Sequence, residues 1–253
     1  MKTKRISEVE EYISENGTVS IDELTETFHV SINTIRRDIN ELVKRNSVKK
    51  VYGGVTSTNK HNQQAIDYTE RNVENYEKKK SIGNIASGFI EQHDIVYIDT
   101  GTTTTHVLDN IDEKLEFTII TNSLDVINKA SHLTNVDIYV IGEKYAPRTR
   151  SFIGIKSQDI VGKFNIKKAF MSATGVNIKN GLSNAEMEEN MIKQRIIKQS
   201  EKKYALVDHS KIGESTLLTY MELKDLDYLI TDTIPDSNFV DFCNTNSVEI
   251  ITE

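Results

Sequence analysis

Seven short runs rich in β-branched and aromatic residues follow one another between residues 95 and 252. Their alternation with helical stretches predicts a mostly parallel sheet that helices cover on both faces. Three helical stretches accompany the runs, namely Glu77–Glu91, Ser123–Ser131 and Ala185–Glu201. The predicted strands are Ile95–Ile98, Phe117–Thr121, Val136–Ile141, Lys168–Ser172, Lys203–Val207, Tyr228–Thr231 and Val248–Thr252.

A different pattern occupies the start of the chain, where apolar residues recur at spacings of three and four. This spacing predicts three short helices, built on Ile6, Val9, Ile13, Val19, Ile21, Leu24, Phe28, Ile32, Ile35, Ile39, Leu42 and Val43. Gly17 is expected to end the first helix, and Ser20 and Ser31 to cap the next two. The Val48–Val55 stretch that follows contains the Gly53-Gly54 pair and predicts a hairpin. Three small helices and a hairpin indicate a winged helix-turn-helix.

A polar segment separates these two patterns. Residues Thr56–Gln64 show no apolar periodicity, which is typical of a linker. We therefore predict a winged helix-turn-helix domain at 1–57, a linker at 58–73 and a larger α/β domain at 74–253.

Composition excludes several classes of protein. No apolar run is longer than four residues, whereas a membrane-spanning helix needs about 18. The N-terminus carries charged residues in place of an apolar signal segment, so we expect a cytoplasmic protein with no membrane partner. A single cysteine, Cys243, and six histidines without i, i+4 pairs give no reason to predict a metal site or a cofactor.

The net charge of −7 conceals a basic region near the N-terminus. Residues 1–60 contain ten basic and nine acidic residues, whereas the rest of the chain has 21 and 29. Within the first part, His29–Lys50 holds six basic residues and two acidic ones. Because lysine and arginine neutralise phosphates, this segment predicts a face that binds nucleic acid.

The third predicted helix carries the residue types that read DNA. Its outward positions combine hydroxyl, amide and guanidinium groups, at Ser31, Asn33, Thr34, Arg36 and Arg37. Such groups bind phosphates and the base edges of the major groove, and we expect Asp38 to orient one of the arginines. A solvated helix face with exposed ion pairs is the alternative. The hairpin favours the DNA-binding interpretation, because it adds further candidates at Lys49, Lys50, Tyr52, Gly53 and Gly54.

A candidate ligand site follows the predicted strand Ile95–Ile98. The loop Asp99–Thr104 contains one glycine among threonines, and a strand, a small-residue loop and a helix start together form an anion cradle. An ordinary turn whose threonines cap a helix is the alternative. The loop has neither the Gly-Lys-Ser/Thr of a P-loop nor the three glycines of a dinucleotide fingerprint.

Two later segments are expected at the same edge of the sheet. Thr121-Asn122-Ser123 and Asp208-His209-Ser210-Lys211 each follow an apolar run, and open α/β sheets bind ligands at the carboxyl ends of their strands. Lys211 opposite a threonine-rich loop is a plausible phosphate partner, although most lysines are simply solvated.

The segment from Val30 to Leu42, with Thr34-Ile-Arg-Arg-Asp, and the segment Lys50-Val-Tyr-Gly-Gly-Val resemble the DeoR family of bacterial sugar-metabolism repressors. The wing differs from the family pattern, since Lys50, Tyr52 and Val55 stand in place of arginine, histidine and alanine. Asp99-Thr-Gly-Thr-Thr-Thr, Thr121-Asn-Ser and Asp208-His-Ser-Lys are similar to the family's sensor domain, which has the fold of sugar-phosphate isomerases. Gly142-Glu143 stands where that domain has two glycines.

The resemblance implies which residues surround a phosphorylated sugar. It adds Gly175, Glu186 and Arg148 or Arg150 to the loops already described. The candidate ligand-binding residues are Asp99, Thr100, Gly101, Thr102, Thr103, Thr104, Thr121, Asn122, Ser123, Arg148, Arg150, Gly175, Glu186, Asp208 and Lys211.

These features together predict a repressor of a sugar-metabolism operon that releases operator DNA when a phosphorylated sugar binds. Paired half-sites imply a homo-oligomer, either a dimer or a tetramer. A sugar-phosphate isomerase or deaminase fused to a DNA-binding module is the alternative, but Val176-Asn177 is neutral where related enzymes carry an acidic residue. An architectural DNA-binding protein without a ligand would leave Asp99–Thr104 and Lys211 unexplained.

Overall fold

The computed structural model describes residues 2–16, 18–45, 47–51, 54–57, 68–154 and 161–252. The chain divides into two compact units, Met1–Ile66 and Asp67–Glu253. Within the described ranges, no helix has both the length and the apolar character needed to cross a bilayer.

The first unit contains the three helices and the hairpin predicted from the sequence. Helices α1 (Lys2–Asn16), α2 (Ile21–Phe28) and α3 (Ile32–Lys44) are followed by β2 (Val48–Val51) and β3 (Gly54–Ser57). A further strand, β1 (Thr18–Ser20), pairs with β3, so that an antiparallel sheet has the order β1–β3–β2. The winged helix-turn-helix prediction is confirmed.

Local capping explains where α2 and α3 begin. Ser20 Oγ accepts a hydrogen bond from the backbone nitrogen of Glu23 (3.1 Å), and Ser31 Oγ accepts one from that of Thr34 (3.3 Å). Each hydroxyl satisfies an amide that the helix itself leaves unpaired. Both predicted caps are therefore confirmed, whereas Gly17 lies outside the described residues.

The second unit is built on a sheet of seven parallel strands. Their bounds are β4 Ile95–Ile98, β5 Phe117–Thr121, β6 Val136–Val140, β9 Ile166–Met171, β12 Ser200–Leu206, β14 Tyr228–Ile230 and β15 Glu249–Ile251. Their order in the sheet is β15–β14–β12–β9–β4–β5–β6. Every one of the seven predicted runs supplies one of these strands, which confirms the α/β prediction.

Alternating residues of these strands supply two separate cores. On β4, Val96 and Ile98 belong to one buried cluster and Tyr97 to the other. Because successive side chains of a strand point to opposite faces, the two clusters lie on the two sides of the sheet. The helices of this unit are α4 Tyr68–Val73, α5 Tyr76–Ser87, α6 Leu124–Ala130, α7 Met187–Gln199 and α8 Ser237–Thr245.

Several short elements were not predicted. The hairpin of β7 (Lys144–Ala146) and β8 (Ser151–Ile153) and the antiparallel sheet of β10 (Gly175–Asn177), β11 (Gly181–Asn184) and β13 (Leu218–Met221) consist of strands of three or four residues. Unlike the predicted runs, these segments are interrupted by polar residues or glycine and contain too few consecutive apolar residues to be recognised as strands. Helix α4 falls within the predicted 58–73 linker, and its Tyr68 is buried, so ordered packing of the second unit begins before residue 74.

Asp232, just after β14, holds the turn after β12 and helix α5 together. Its carboxylate accepts hydrogen bonds from the backbone nitrogen of His209 (2.6 Å) and from His209 Nδ1 (2.8 Å), and Lys78 Nζ lies 3.1 Å away. Burial opposes ionisation, but these donors outweigh it and lower the pKa of Asp232 to about 2.

We expect Asp232→Asn to destabilise the protein near neutral pH and to have little effect near pH 2. A carboxylate with a lowered folded-state pKa stabilises the fold above its unfolded-state pKa, and this contribution disappears as the pH falls through the folded value. Urea denaturation of both proteins between about pH 6 and pH 2 measures the difference. Asp241→Asn, at an exposed position of α8, is the control, and a difference that does not change with pH would contradict the prediction.

Candidate functional site

The outer face of α3 and the adjacent strand β2 carry exposed basic side chains. Arg36 and Arg37 on α3 and Lys49 and Lys50 on β2 are all exposed. Ser31 and Asn33 are also exposed at the start of the helix, and Ser31 Oγ lies 2.9 Å from Thr34 Oγ1. Most of the described part of the predicted DNA-binding set thus provides exposed hydrogen-bond donors and cations on α3 and β2.

Asp38 does not orient an arginine of α3, contrary to the sequence-based interpretation. It is 1 % exposed, and its Oδ2 accepts a hydrogen bond from Arg5 Nε at 2.7 Å. This ion pair ties α3 to α1, because the carboxylate points into the unit and needs a charged partner there. Because Asp38 is buried and paired with Arg5, its charge does not lie on the exposed surface of the basic segment His29–Lys50.

Two other predictions on this unit need correction. Ile32 was placed on the apolar stripe of α3, but it is 39 % exposed at the first turn, while Ile35, Ile39 and Leu42 are buried. Gly54 is buried rather than available to DNA, because a Cβ there would lie 2.3 Å from the carbonyl oxygen of Val19. Its role is to let β3 approach β1. Tyr52 and Gly53 lie outside the described residues.

In the second unit, a cavity opens at the carboxyl ends of three neighbouring strands, β12, β9 and β4. We call it the strand-end cavity. The segments that follow the strands supply much of its wall, namely Thr100–Thr103, Ser172–Thr174 and Val207–Asp208. The other lining residues are Arg71, Lys79, Asn184, Glu189, Lys193, Leu206 and Lys211. Its volume is about 40 Å³, which holds only a few water molecules.

The loop Asp99–Thr104 needs a glycine at position 101 because it packs closely against Ser172. A Cβ at this position would lie 2.2 Å from the Cβ of Ser172, so a side chain would push the loops after β4 and β9 apart. Thr104 stabilises the same turn, since its hydroxyl donates to the carbonyl oxygens of Asp99 (2.7 Å) and Gly101 (2.9 Å). A 3-10 helix, Thr104–Leu108, follows in place of the α-helix expected from the sequence.

Asp99 does not line the cavity itself, but it forms a buried ion pair with Lys193, which does. The carboxylate also accepts hydrogen bonds from the backbone nitrogen (2.8 Å) and hydroxyl (2.7 Å) of Ser172. Burial alone would raise the pKa of Asp99, but the ammonium of Lys193 and these donors outweigh it and lower the pKa. The ion pair therefore fixes the Lys193 side chain at the cavity wall.

Glu189 lies one helical turn before Lys193, at the same wall. Its Oε1 accepts a hydrogen bond from Ser151 Oγ (2.8 Å) and a longer one from Thr100 Oγ1 (3.4 Å). Burial raises the pKa of this carboxyl, because ionisation is costly away from water. Glu189 thus offers carboxyl oxygens that can accept hydrogen bonds at the cavity wall.

Two further lysines line the cavity. Lys79 on α5 is 3 % exposed and donates to the carbonyl oxygen of Arg71; burial lowers its pKa. Lys211 ends a short 3-10 helix, His209–Lys211. The neighbouring Asp208 accepts hydrogen bonds from Asn75 Nδ2 (3.0 Å) and Ser210 Oγ (2.5 Å). Four cationic and two acidic side chains line the cavity, which favours an anionic ligand.

The structure brings together only some of the predicted ligand-binding residues. Those that line the cavity are Thr100, Gly101, Thr102, Thr103, Asp208 and Lys211. Asp99 and Thr104 act behind the wall, as described above. At the end of β5, Thr121 donates to the carbonyl oxygen of Ile98 (2.6 Å), Asn122 accepts from the hydroxyl of Tyr97 (2.7 Å), and Ser123 caps α6.

The remaining candidates have structural partners elsewhere. Arg148 forms an ion pair with Glu186 (3.4 Å), and Arg150 forms one with Asp125 (2.6 Å). Gly175 packs against the backbone of Glu214, which lies 2.7 Å from where a Cβ would stand. None of these three candidates, nor Glu186, is among the described residues that line the strand-end cavity.

Sequence reasoning missed seven polar residues of this cavity, Arg71, Lys79, Ser172, Thr174, Asn184, Glu189 and Lys193. One signal was present, since the i, i+4 spacing of Glu189 and Lys193 places both on the same face of α7. On a predicted helix, such a pair usually indicates a solvated ion pair. Only packing of α7 against the strand ends shows that both side chains are buried.

Comparison with known proteins agrees with both units. Residues 5–61 match the DeoR-like helix-turn-helix domain, and residues 74–233 match the DeoR C terminal sensor domain. Among solved structures, a ribose 5-phosphate isomerase from Methanocaldococcus jannaschii covers 55 % of each chain at 15 % identity and a TM-score of 0.41, a match too weak to add to the family assignment.

Curated relatives resemble the chain over nearly its whole length. The transcriptional regulator IolR of Bacillus subtilis is 46 % identical over 99 % of both chains. The repressor GlcR of the same organism is 28 % identical over 98 % of this chain and 95 % of its own, and the lactose phosphotransferase system repressor of Staphylococcus epidermidis is 30 % identical over 91 % and 92 %. These relatives are transcription regulators, which supports a regulator over an enzyme. The chain belongs to the DeoR family of transcriptional regulators.

Proposed function

We propose that this protein represses genes of sugar metabolism by binding operator DNA, and that a phosphorylated sugar in the strand-end cavity releases it. The observation that carries the proposal is the placement of the Thr100–Thr103 loop beside Lys79 and Lys211 at the ends of three parallel strands. Relatives named as repressors, among them one of a lactose phosphotransferase system, support repression and a sugar-related signal.

The phosphate of the effector is assigned to the threonine loop. Backbone amides and hydroxyls in such a loop bind phosphate oxygens, and nearby ammonium groups neutralise their charge. Lys211 and Lys79 are the cations for this role. Burial lowers the pKa of Lys79, and a phosphate dianion beside it favours the charged ammonium.

The sugar hydroxyls are assigned to the part of the cavity formed by α7 and the segment just before it. Glu189 and Asn184 line this part, and their side-chain oxygens are acceptors for hydroxyl groups. Lys193, held by Asp99, adds a donor at the same wall. This division gives the cavity a cationic end and a hydroxyl-binding end, so both parts of a phosphorylated sugar have partners.

The small size of the cavity suggests how binding is linked to release. A phosphorylated sugar is larger than the few water molecules that about 40 Å³ can hold, so its binding must displace part of the wall. The effector therefore favours a second, wider state. Unequal affinity for two states is what an effector needs to shift their populations.

We further propose that the protein acts as a dimer or a tetramer. Helix-turn-helix proteins pair two recognition helices on half-sites separated by one turn of DNA, or multiples of it. The exposed basic residues of α3 in one copy would then read one half-site.

The proposal is tested by fluorescence anisotropy with DNA from upstream of the protein's own gene. The full chain is titrated at two salt concentrations, alone and with a panel of sugar phosphates. We expect tight, salt-dependent binding that one phosphorylated compound abolishes while its unphosphorylated form does not. Absence of DNA binding together with consumption of a panel compound would contradict the proposal and favour an enzyme.

Lys211→Ala is expected to leave operator affinity unchanged and to weaken the response to the effector. Loss of a charged hydrogen bond to phosphate costs about 1.5–3 kcal/mol, or roughly 10- to 150-fold in effector concentration. The same anisotropy assay measures the effector concentration that releases half of the DNA. Lys198→Ala, at an exposed position of α7, is the control and should respond normally. A normal response of Lys211→Ala would disprove its phosphate role.

A further inference from the structure

A second and larger cavity lies between helices α4, α5 and α6. We call it the α4–α6 cavity. Its lining residues are Tyr68, Asn72, Tyr76, Thr105, His106, Asp125, Lys129 and Arg150. Its volume is about 340 Å³, within the range of about 300–1,000 Å³ that is usual for small-molecule sites. It is therefore already large enough for a ligand, unlike the strand-end cavity.

The two cavities use different parts of the same segments. Thr102 and Thr103 line the strand-end cavity, and Thr105 and His106 line the α4–α6 cavity. Likewise, α5 contributes Lys79 to the first and Tyr76 to the second. The predicted phosphate partner Arg150 belongs to this second cavity.

The charged groups that line the α4–α6 cavity are neutralised by protein partners. Arg150 binds the carboxylate of Asp125 through Nε (2.9 Å) and Nη2 (2.6 Å). Lys129 pairs with Asp109, whose other oxygen lies 2.5 Å from His106 Nδ1. A charged ligand would have to compete with these pairs, so the cavity favours a neutral one.

His106 supplies one buried polar atom that has no partner among the described residues. The residue is 3 % exposed, and its Nε2 is buried and makes no hydrogen bond to the part of the chain that the structure describes. Asp109 accepts the proton of Nδ1, which leaves Nε2 as an acceptor in the neutral ring. Burial lowers the pKa of His106 and so maintains this neutral form. His106 is among the residues that line the cavity, and a buried acceptor that lacks a donor favours a ligand that brings a hydroxyl.

Two further features are typical of a ligand site. The ring of Tyr76 is 45 % exposed and packs edge-on against His106, with ring centroids 5.2 Å apart, so part of its surface is open to a ligand. Arg150 has a φ of +53°, which is unfavourable for a side chain this large. Its guanidinium lies against Tyr68 at 5.8 Å and against Asp125, and these contacts hold the strained residue in place.

We propose that the α4–α6 cavity binds a small, neutral, polyhydroxylated compound. On binding, the His106 ring turns toward the cavity so that Nε2 accepts a hydrogen bond from one hydroxyl, and the carbon–hydrogen face of the compound packs on Tyr76. Asn72 and Thr105 provide further hydrogen-bonding groups around it. This site is independent of the strand-end cavity, and its assignment does not rest on the proposed repressor function.

The test uses the full chain labelled with ¹⁵N-histidine, which contains six histidines. A panel of unphosphorylated sugars and sugar alcohols, including D-glucose, D-ribose and glycerol, is titrated against it, each with its phosphate ester as a comparison. We expect a neutral compound to shift the Nε2 resonance of His106, because a new hydrogen bond changes its shielding. The spectrum of His106→Gln identifies that resonance.

Two variants separate the two cavities. Tyr76→Ala, at a half-exposed position that the core does not need, should weaken binding of the neutral compound by about two- to tenfold through loss of the ring. Lys211→Ala should leave this binding unchanged. The proposal is overturned if no neutral compound shifts the His106 resonance, if Tyr76→Ala binds as tightly as the wild type, or if Lys211→Ala abolishes the shift.

Discussion

Arg36→Ala and Arg37→Ala are each expected to weaken operator binding by about 1–3 kcal/mol, or roughly 5- to 150-fold. Both side chains are exposed on α3, and their carboxylate neighbour Asp38 is held by Arg5. Their guanidinium groups are therefore available to DNA, and their removal should leave the fold intact. Fluorescence anisotropy with labelled operator measures the loss, and unchanged affinity in both variants would disprove the recognition-helix assignment.

Two measurements show what each arginine contacts. Removing an arginine that reads a guanine should relax discrimination at one base pair. Removing one that contacts a phosphate should weaken binding to all sequences equally, and it should reduce the slope of log affinity against log salt concentration by about one. Operators with single base changes, assayed at several salt concentrations, separate the two outcomes. Arg45→Ala, at the opposite end of α3, is the control for general loss of positive charge.

Lys193→Met is expected to lower the free energy of unfolding by about 3–5 kcal/mol, because it leaves the Asp99 carboxylate buried without its partner. Asp99 and Lys193 are 1 % and 3 % exposed, so water cannot replace the lost charge. Methionine keeps most of the side-chain volume, which limits any cavity. Urea denaturation at neutral pH measures the change.

The double variant Asp99→Asn/Lys193→Met tests the cause of this loss. If the unpaired carboxylate is responsible, the double variant should be more stable than Lys193→Met alone. The difference between wild type and Lys193→Met should also shrink as the pH falls, because Lys193 helps to lower the pKa of Asp99 and that contribution disappears on protonation. A double variant less stable than the single one would show that packing, not charge, explains the effect.

Much of the fold was predictable because its signals are local. All seven strands of the central sheet appear in the sequence as short apolar runs, and Ser20, Ser31 and Ser123 begin helices at the predicted positions. A helix cap needs residues only three positions apart, so the sequence contains the whole interaction. The strands β7 and β8 lie outside any comparable apolar run, so they carry no such local signal.

The candidate site was only partly predictable. Loops at strand ends are expected to bind ligands in any open α/β sheet, and the threonine loop and Lys211 do line the cavity. Arg148, Arg150 and Glu186 were included by resemblance alone, and each has an ionic partner elsewhere. Charged residues pair with whatever the fold places nearby, and their neighbours in the chain do not reveal that partner.

The sequence by itself determined the two units, the seven strands of the central sheet and the basic face of α3, since all of these follow from periodicity and composition. Only the tertiary structure decided the partners of the buried charges. Arg5 and Asp38 are 33 positions apart in the chain, and Asp99 and Lys193 are 94 positions apart. Burial makes an unpaired charge costly, so packing selects such pairs over distances that no local pattern in the sequence records.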